Sequence, residues 1–173
     1  MPLVELMEVP LEALVNRALI VRKTVLLLAY VMEIGNQIGR EEALNILASV
    51  DEKFSQRWAQ ENISKLNIKG DDAKAGWALD QAYWRAMTPG PWRPEEHIVV
   101  EDRPERVVVR HTGWCPMLEA CKMLNLSTRE VCPIFPARNA NAILRTLNPR
   151  LSLRIGKMRP EASYCEEIIE LSE

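Results

Sequence analysis

Apolar side chains recur at three- and four-residue spacing from Leu11 through Leu14, Val15, Ala18 and Leu19, and the pattern persists to about Met87, which predicts four or so helices. Gly35 and Gly39 are expected stops, followed by Gly70, after which Asp71 and Asp72 are placed to cap a helix running from about 72 to 87. The period then breaks. Three prolines and a glycine in Thr88-Pro89-Gly90-Pro91-Trp92-Arg93-Pro94 remove backbone donors and restrict the chain, marking a boundary between two halves. Beyond it, β-branched runs at 98–101 and 106–110, joined by Asp102-Arg103-Pro104-Glu105, predict an antiparallel hairpin. Pro116 suits a first helical turn, so a helix is expected from about 116 to 124 with Cys115 at its N-cap, and a second from Pro136 to Leu147. Residues 151–155 and 166–171 read as two late strands linked by a turn near 158–163.

The order is helices, two strands, two helices, two strands. It predicts an α+β fold in which an N-terminal helical segment packs with a small antiparallel sheet and two further helices in the C-terminal half. A chain of 173 residues, 47% of them hydrophobic, is sized to bury one core, so 1–173 is expected to form a single domain with a helical part at about 1–87 and an α+β part at about 95–173. With 22 basic against 24 acidic side chains the net charge is −2, which supplies no field for nucleic acid. The first ten residues carry Glu5 and Glu8 and no basic residue, unlike an export signal. The longest uncharged run in the most apolar stretch is residues 24–32, far short of the ~20 residues a spanning helix needs. A cytoplasmic location with reduced thiols is therefore expected, and no membrane partner. Residues 25–32 are apolar almost all round, which predicts either a central core helix or an interface, and homodimerisation fits.

Chemistry concentrates in the last third. Cys115, Cys121, Cys132 and Cys165 follow a C-x5-C-x10-C-x32-C spacing that matches neither close zinc-ribbon pairs nor a thioredoxin motif. Cys115 stands out by context: a strand end followed by Pro116 sets its sulfur near free backbone N–H groups and the positive end of a helix dipole, an environment that favours thiolate. His111, four residues earlier, is a candidate base toward that thiol, and Glu119, one turn later, a candidate carboxylate. Small apolar packing is the competing role for each cysteine. If Cys115, Cys132 and Cys165 converge they form a thiolate set suited to zinc or an iron–sulfur centre.

Five tryptophans, at 58, 77, 84, 92 and 114, supply rings for a pocket or a core. Trp77 and Trp84 are spaced as a core stripe, while Trp114, beside Cys115, is the substrate-binding candidate. Arg138 and Arg150, with Arg145 and Arg154, are candidates for holding a ligand carboxylate.

The stretch RVVVRHTGWCP from Arg106 to Pro116, then Cys132, then Leu147-Asn148-Pro149-Arg150-Leu151 and Cys165 before a closing strand resemble the L-2-amino-thiazoline-4-carboxylic acid hydrolases. That resemblance implies hydrolysis of a C–N bond in a cyclic amidine, opening a thiazoline carboxylate toward a carbamoyl-cysteine, with Cys115 as nucleophile or ligand and Cys132 and Cys165 beside it. The strand and helix order is more distantly similar to 4-vinyl reductase-type domains, which implies instead a small-molecule- or metal-binding module without turnover.

Overall fold

The computed structural model of the chain describes residues 10–88 and 93–172; the expectations for the first nine residues and for Trp92 fall outside them. Three long helices open the fold: α1 (Leu11–Ile38), α2 (Arg40–Asn62) and α3 (Ala73–Met87). A 3-10 turn (Pro94–Glu96) leads into strands β1 (His97–Asp102) and β2 (Arg106–His111). Helices α4 (Pro116–Leu124), the single turn α5 (Thr128–Val131) and α6 (Pro136–Leu147) follow, and strands β3 (Leu151–Ile155) and β4 (Cys165–Leu171) close the chain. This is the expected α+β arrangement, with the N-terminal helices packed against the sheet and the later helices.

Gly35 is not a stop. It lies inside the 28-residue α1, and the turn comes at Gly39, whose φ of 98° is open to glycine and costly for other residues. The reason for glycine at 35 is proximity: a β-carbon there would sit 2.9 Å from Arg40 Cα, where α2 begins. Asp72 caps α3 as expected, its carboxylate accepting from the Ala75 N–H at 2.9 Å. The single turn α5 has no apolar period and escaped the sequence reading.

The four strands form one antiparallel sheet in the order β1-β2-β4-β3. One face packs against α3 and α6, where Val107, Val109, Leu151, Leu153 and Ile169 meet Ala73, Ala140 and Leu144. On the other face Arg106 stands opposite Glu170 and Arg110 opposite Glu166, an exposed charge lattice around the Val108–Ile168 pair. The edge strand β3 is covered by α6. Asn141 accepts from the Leu153 N–H and donates to the Leu153 carbonyl, both at 2.8 Å, so the strand's outward backbone groups are satisfied. A second cluster joins Leu28 and Val31 of α1, Ala43 and Leu44 of α2, and Met117, Ala120 and Cys121 of α4. In a third, Leu79 and Tyr83 meet Ala59 and Ile143, with Trp58 edge-on to Tyr83 at 5.1 Å between ring centres.

Candidate functional site

Strand alternation builds the site. Along β2 the core-facing residues are Val107, Val109 and then His111; along β4 they are Ile169, Glu167 and then Cys165. His111 pairs with Cys165 on one side and with His97 of β1 on the other. At this end of the sheet the core face therefore changes from aliphatic to ionisable. It opens into a cavity of about 270 Å³ whose walls are mostly apolar.

His111 holds the centre of a hydrogen-bonded chain. Its Nε2 lies 3.0 Å from Glu167 Oε2 and its Nδ1 2.9 Å from His97 Nδ1. Because a carboxylate only accepts, His111 donates through Nε2; in the neutral ring Nδ1 then accepts from His97. Burial pushes His97 down to about 4, helped by His111 and Arg85 and opposed by Glu167, so its imidazole is neutral at pH 7. Burial works to raise Glu167, but the charge and hydrogen bond of His111, with His97 behind it, hold its carboxyl below the ordinary value.

From α3, Asp80 enters the same cavity. It is fully buried, and neither carboxyl oxygen has a hydrogen-bond partner among the described residues. Burial, reinforced by the charge of Glu167, raises its pKa well above 3.8. The two carboxyl groups are thus pushed in opposite directions, Glu167 toward the ionised form by its histidine and Asp80 toward the neutral one by burial. Trp77 and Trp84, one turn before and one turn after Asp80 on α3, also line the cavity, and the Trp77 ring lies 5.8 Å from that of His111. Their stripe serves the site rather than the core alone.

The opposite wall comes from the loop and helix after β2. Trp114, Cys115 and Met117 line the cavity, as do Cys132 and, from the sheet, Cys165, so the three candidate ligand thiols line one cavity. The thiolate expectation for Cys115 does not hold. Burial raises its pKa and outweighs the N–H groups of Leu118 and Met117 and the nearby Arg159. Burial likewise raises Cys132, and Cys121 to about 11. All four cysteines are free thiols. Among the described residues no three His, Cys, Asp or Glu side chains are arranged to hold a metal ion, so the Cys115, Cys132 and Cys165 ligand set is not formed here.

Three candidates lie elsewhere. Glu119 is drawn to Lys122 on the outer face of α4, 3.1 Å away. Arg138 grips Glu52 through Nε and Nη2 and Asn45 through Nη1, tying α6 to α2. Arg150 is exposed, and its N–H caps Asn148 Oδ1. The Asn148 amide donates to the Asp71 carbonyl at 2.9 Å, which gives the Leu-Asn-Pro segment a structural role. The arginines that do line the cavity are Arg17, Arg85, Arg93 and Arg159, the last donating through Nη1 to the Thr112 and Gly113 carbonyls at 3.0 and 2.7 Å.

No family model matches the chain, and no curated protein does. Among solved structures the chain is similar to a trafficking protein particle complex subunit 3 from Naegleria fowleri, covalently bound to palmitic acid. That similarity has 13% identity over 87% of this chain and 96% of that one, with a TM-score of 0.47, too low to carry an argument about function.

Proposed function

We propose that the cavity between α3, β2, β4 and α4 binds a small, largely apolar molecule, with the His97–His111–Glu167 chain as its polar floor. The observation that carries this reading is the coincidence, in one enclosed space, of apolar walls with a small set of convergent ionisable groups. Tryptophan emission is the natural readout, since Trp77, Trp84 and Trp114 line the space. Titration with benzyl alcohol should give a saturable change, and Cys132→Phe, which fills the cavity, should abolish it. A linear response, or one indifferent to Cys132→Phe, contradicts the reading.

The hydrogen-bonded histidine chain favours a second reading, hydrolysis of a cyclic amidine. Water would add its oxygen to the C=N carbon as the π pair moves to the ring nitrogen, and its proton would pass through the neutral His97 to that nitrogen; the remaining C–N bond would then break with its pair on nitrogen, which takes the hydroxyl proton as the carbonyl forms. His111 and Glu167 would fix the ring and share its charge. A protonated, buried Cys115 is then a wall residue and not the nucleophile. Cys115→Ser should keep turnover of 2-amino-thiazoline-4-carboxylate within about threefold, while His97→Asn should lower it by the ~10²–10⁴-fold that general acid–base catalysis supplies. The reverse pattern returns the chemistry to the thiol.

Self-association belongs to the same proposal. Leu11, Val15, Leu19, Leu26 and Tyr30 form an exposed stripe along α1, and Ile46, Val50 and Phe54 a second along α2. Leu26→Glu should reduce the sedimentation coefficient if that stripe is an interface between copies, and leave it unchanged if the chain is monomeric.

A further inference from the structure

Asp80 is a fully buried carboxyl on the cavity, and both of its oxygens lack a hydrogen-bond partner among the described residues. We infer that it is the counter-ion for a cationic ligand, a primary ammonium or amidinium on an apolar body. This assignment rests on the small-molecule reading and specifies the ligand's charge.

Four observations converge. Asp80 is completely buried, lines the cavity, and presents two oxygens without a partner among the described residues, the arrangement that a bidentate or multiply donating cation completes. Glu167, a second carboxyl on the same cavity, is already bonded to His111, so of these two carboxyls Asp80 is the one that lacks donors. The indoles of Trp77 and Trp84 flank Asp80 on α3 and line the cavity, and aromatic rings of this kind attract a cation. Two of the guanidinium groups on the cavity are engaged: Arg17 lies 5.1 Å over the Trp114 ring, and Arg159 donates through Nη1 to two backbone carbonyls; Arg85 and Arg93 also line it.

The groups charge-coupled to Asp80 are Glu167 and Tyr83, with His97 and His111 next along the chain from Glu167. In the free protein burial pushes Asp80 toward the neutral acid. A cation placed against it reverses that preference, so the complex contains an ionised Asp80 and the proton leaves to solvent.

Benzylamine and benzyl alcohol have nearly the same shape and differ in charge. Wild-type protein should bind the amine at least about tenfold more tightly than the alcohol at pH 7, a difference of about 1.4 kcal/mol. Asp80→Asn should bring the amine down to the affinity of the alcohol while leaving the alcohol within about threefold of wild type. Infrared difference spectra of the wild-type protein supply a measurement independent of that variant's folding. The carbonyl band of a buried carboxylic acid should be lost with benzylamine and kept with benzyl alcohol. Equal affinities, an amine preference that survives Asp80→Asn, or an acid band that persists with the amine overturns the assignment while saturable alcohol binding keeps the pocket reading. Failure of both molecules to bind removes both.

Discussion

Asp80 and Glu167 are the same kind of group in the same cavity, yet their neighbours send them in opposite directions, and the pH dependence of stability separates them. Asp80 is raised above 3.8 in the fold, so the unfolded chain loses this proton first as pH rises. Its contribution is complete below about pH 3.8 and declines as pH climbs through the folded value. Asp80→Asn removes that decline, so its melting temperature should gain on wild type as pH rises above about 4; a constant gap would show that the Asp80 carboxyl is not raised in the fold. Depressed groups run the other way. With His97 lowered from 6.5 to about 4, the stability of the neutral ring is present above about pH 6.5 and is lost as pH falls toward 4, which His97→Asn should blunt in acid unfolding curves. The buried thiols make a separate prediction. Cys115, Cys121 and Cys132 should react slowly with a disulfide reagent at pH 7 and rapidly once the chain is denatured, whereas fast native-state labelling of Cys115 would restore its thiolate. His111, Trp114, Cys115, Cys132 and Cys165 were legible as site residues from strand ends and motif context. Glu167 and Asp80 were not, although a signal existed for each: Glu167 shares the inward phase of Ile169, and Asp80 interrupts the apolar stripe of α3 between Trp77 and Trp84.

At the scale of elements, the strands, α4 and α6 follow the sequence pattern closely, because β-branched runs and N-terminal prolines are local signals that the tertiary structure has no reason to override. The long α1 departs from it. A glycine weakens a helix by only ~1 kcal/mol, a cost that the packing of α1 against α2 and α4 offsets, so Gly35 reads as a stop only when its neighbours are unknown. Gly35→Ala should therefore destabilise, by roughly 1–3 kcal/mol, since the new methyl meets Arg40 backbone that has nowhere to move; a stabilised variant would mean that α1 and α2 can part without cost. Arginine positions were the least legible. Arg138 and Arg159 sit in similar polar sequence, and only the tertiary partners, Glu52 for one and the Thr112 and Gly113 carbonyls for the other, decide which reaches the cavity. Asn141 carries a similar tertiary role. Replacing it with Ala strips the Leu153 N–H and carbonyl of their partners, and a loss of about 2 kcal/mol in urea unfolding is expected, with no loss of benzyl alcohol binding because α6 touches the cavity elsewhere.

For the molecule as a whole, the sheet acts as a scaffold with two ends of different character. One end is closed by Leu151 and Leu171, and the other by the histidines, Glu167 and Cys165, with the α3 tryptophans and the start of α4 completing the enclosure. Buried ionisable groups oppose folding, and three aliphatic clusters stabilise the fold around them. Among the described residues no helix is long and apolar enough to cross a membrane; the apolar surface of α1 is divided instead between a buried side at Leu28 and Val31 and an exposed stripe. The core-or-interface expectation for residues 25–32 is thus met on its core side by Leu28 and Val31, with Leu26 and Tyr30 left outward. The most direct test of the account is an amide NMR titration of uniformly labelled protein with benzyl alcohol. Shift changes should cluster at Trp77, Asp80, Trp84, His111, Gly113 to Met117 and Glu167; changes confined to the exposed stripes of α1 and α2, or none at saturation, would contradict a binding site in this cavity.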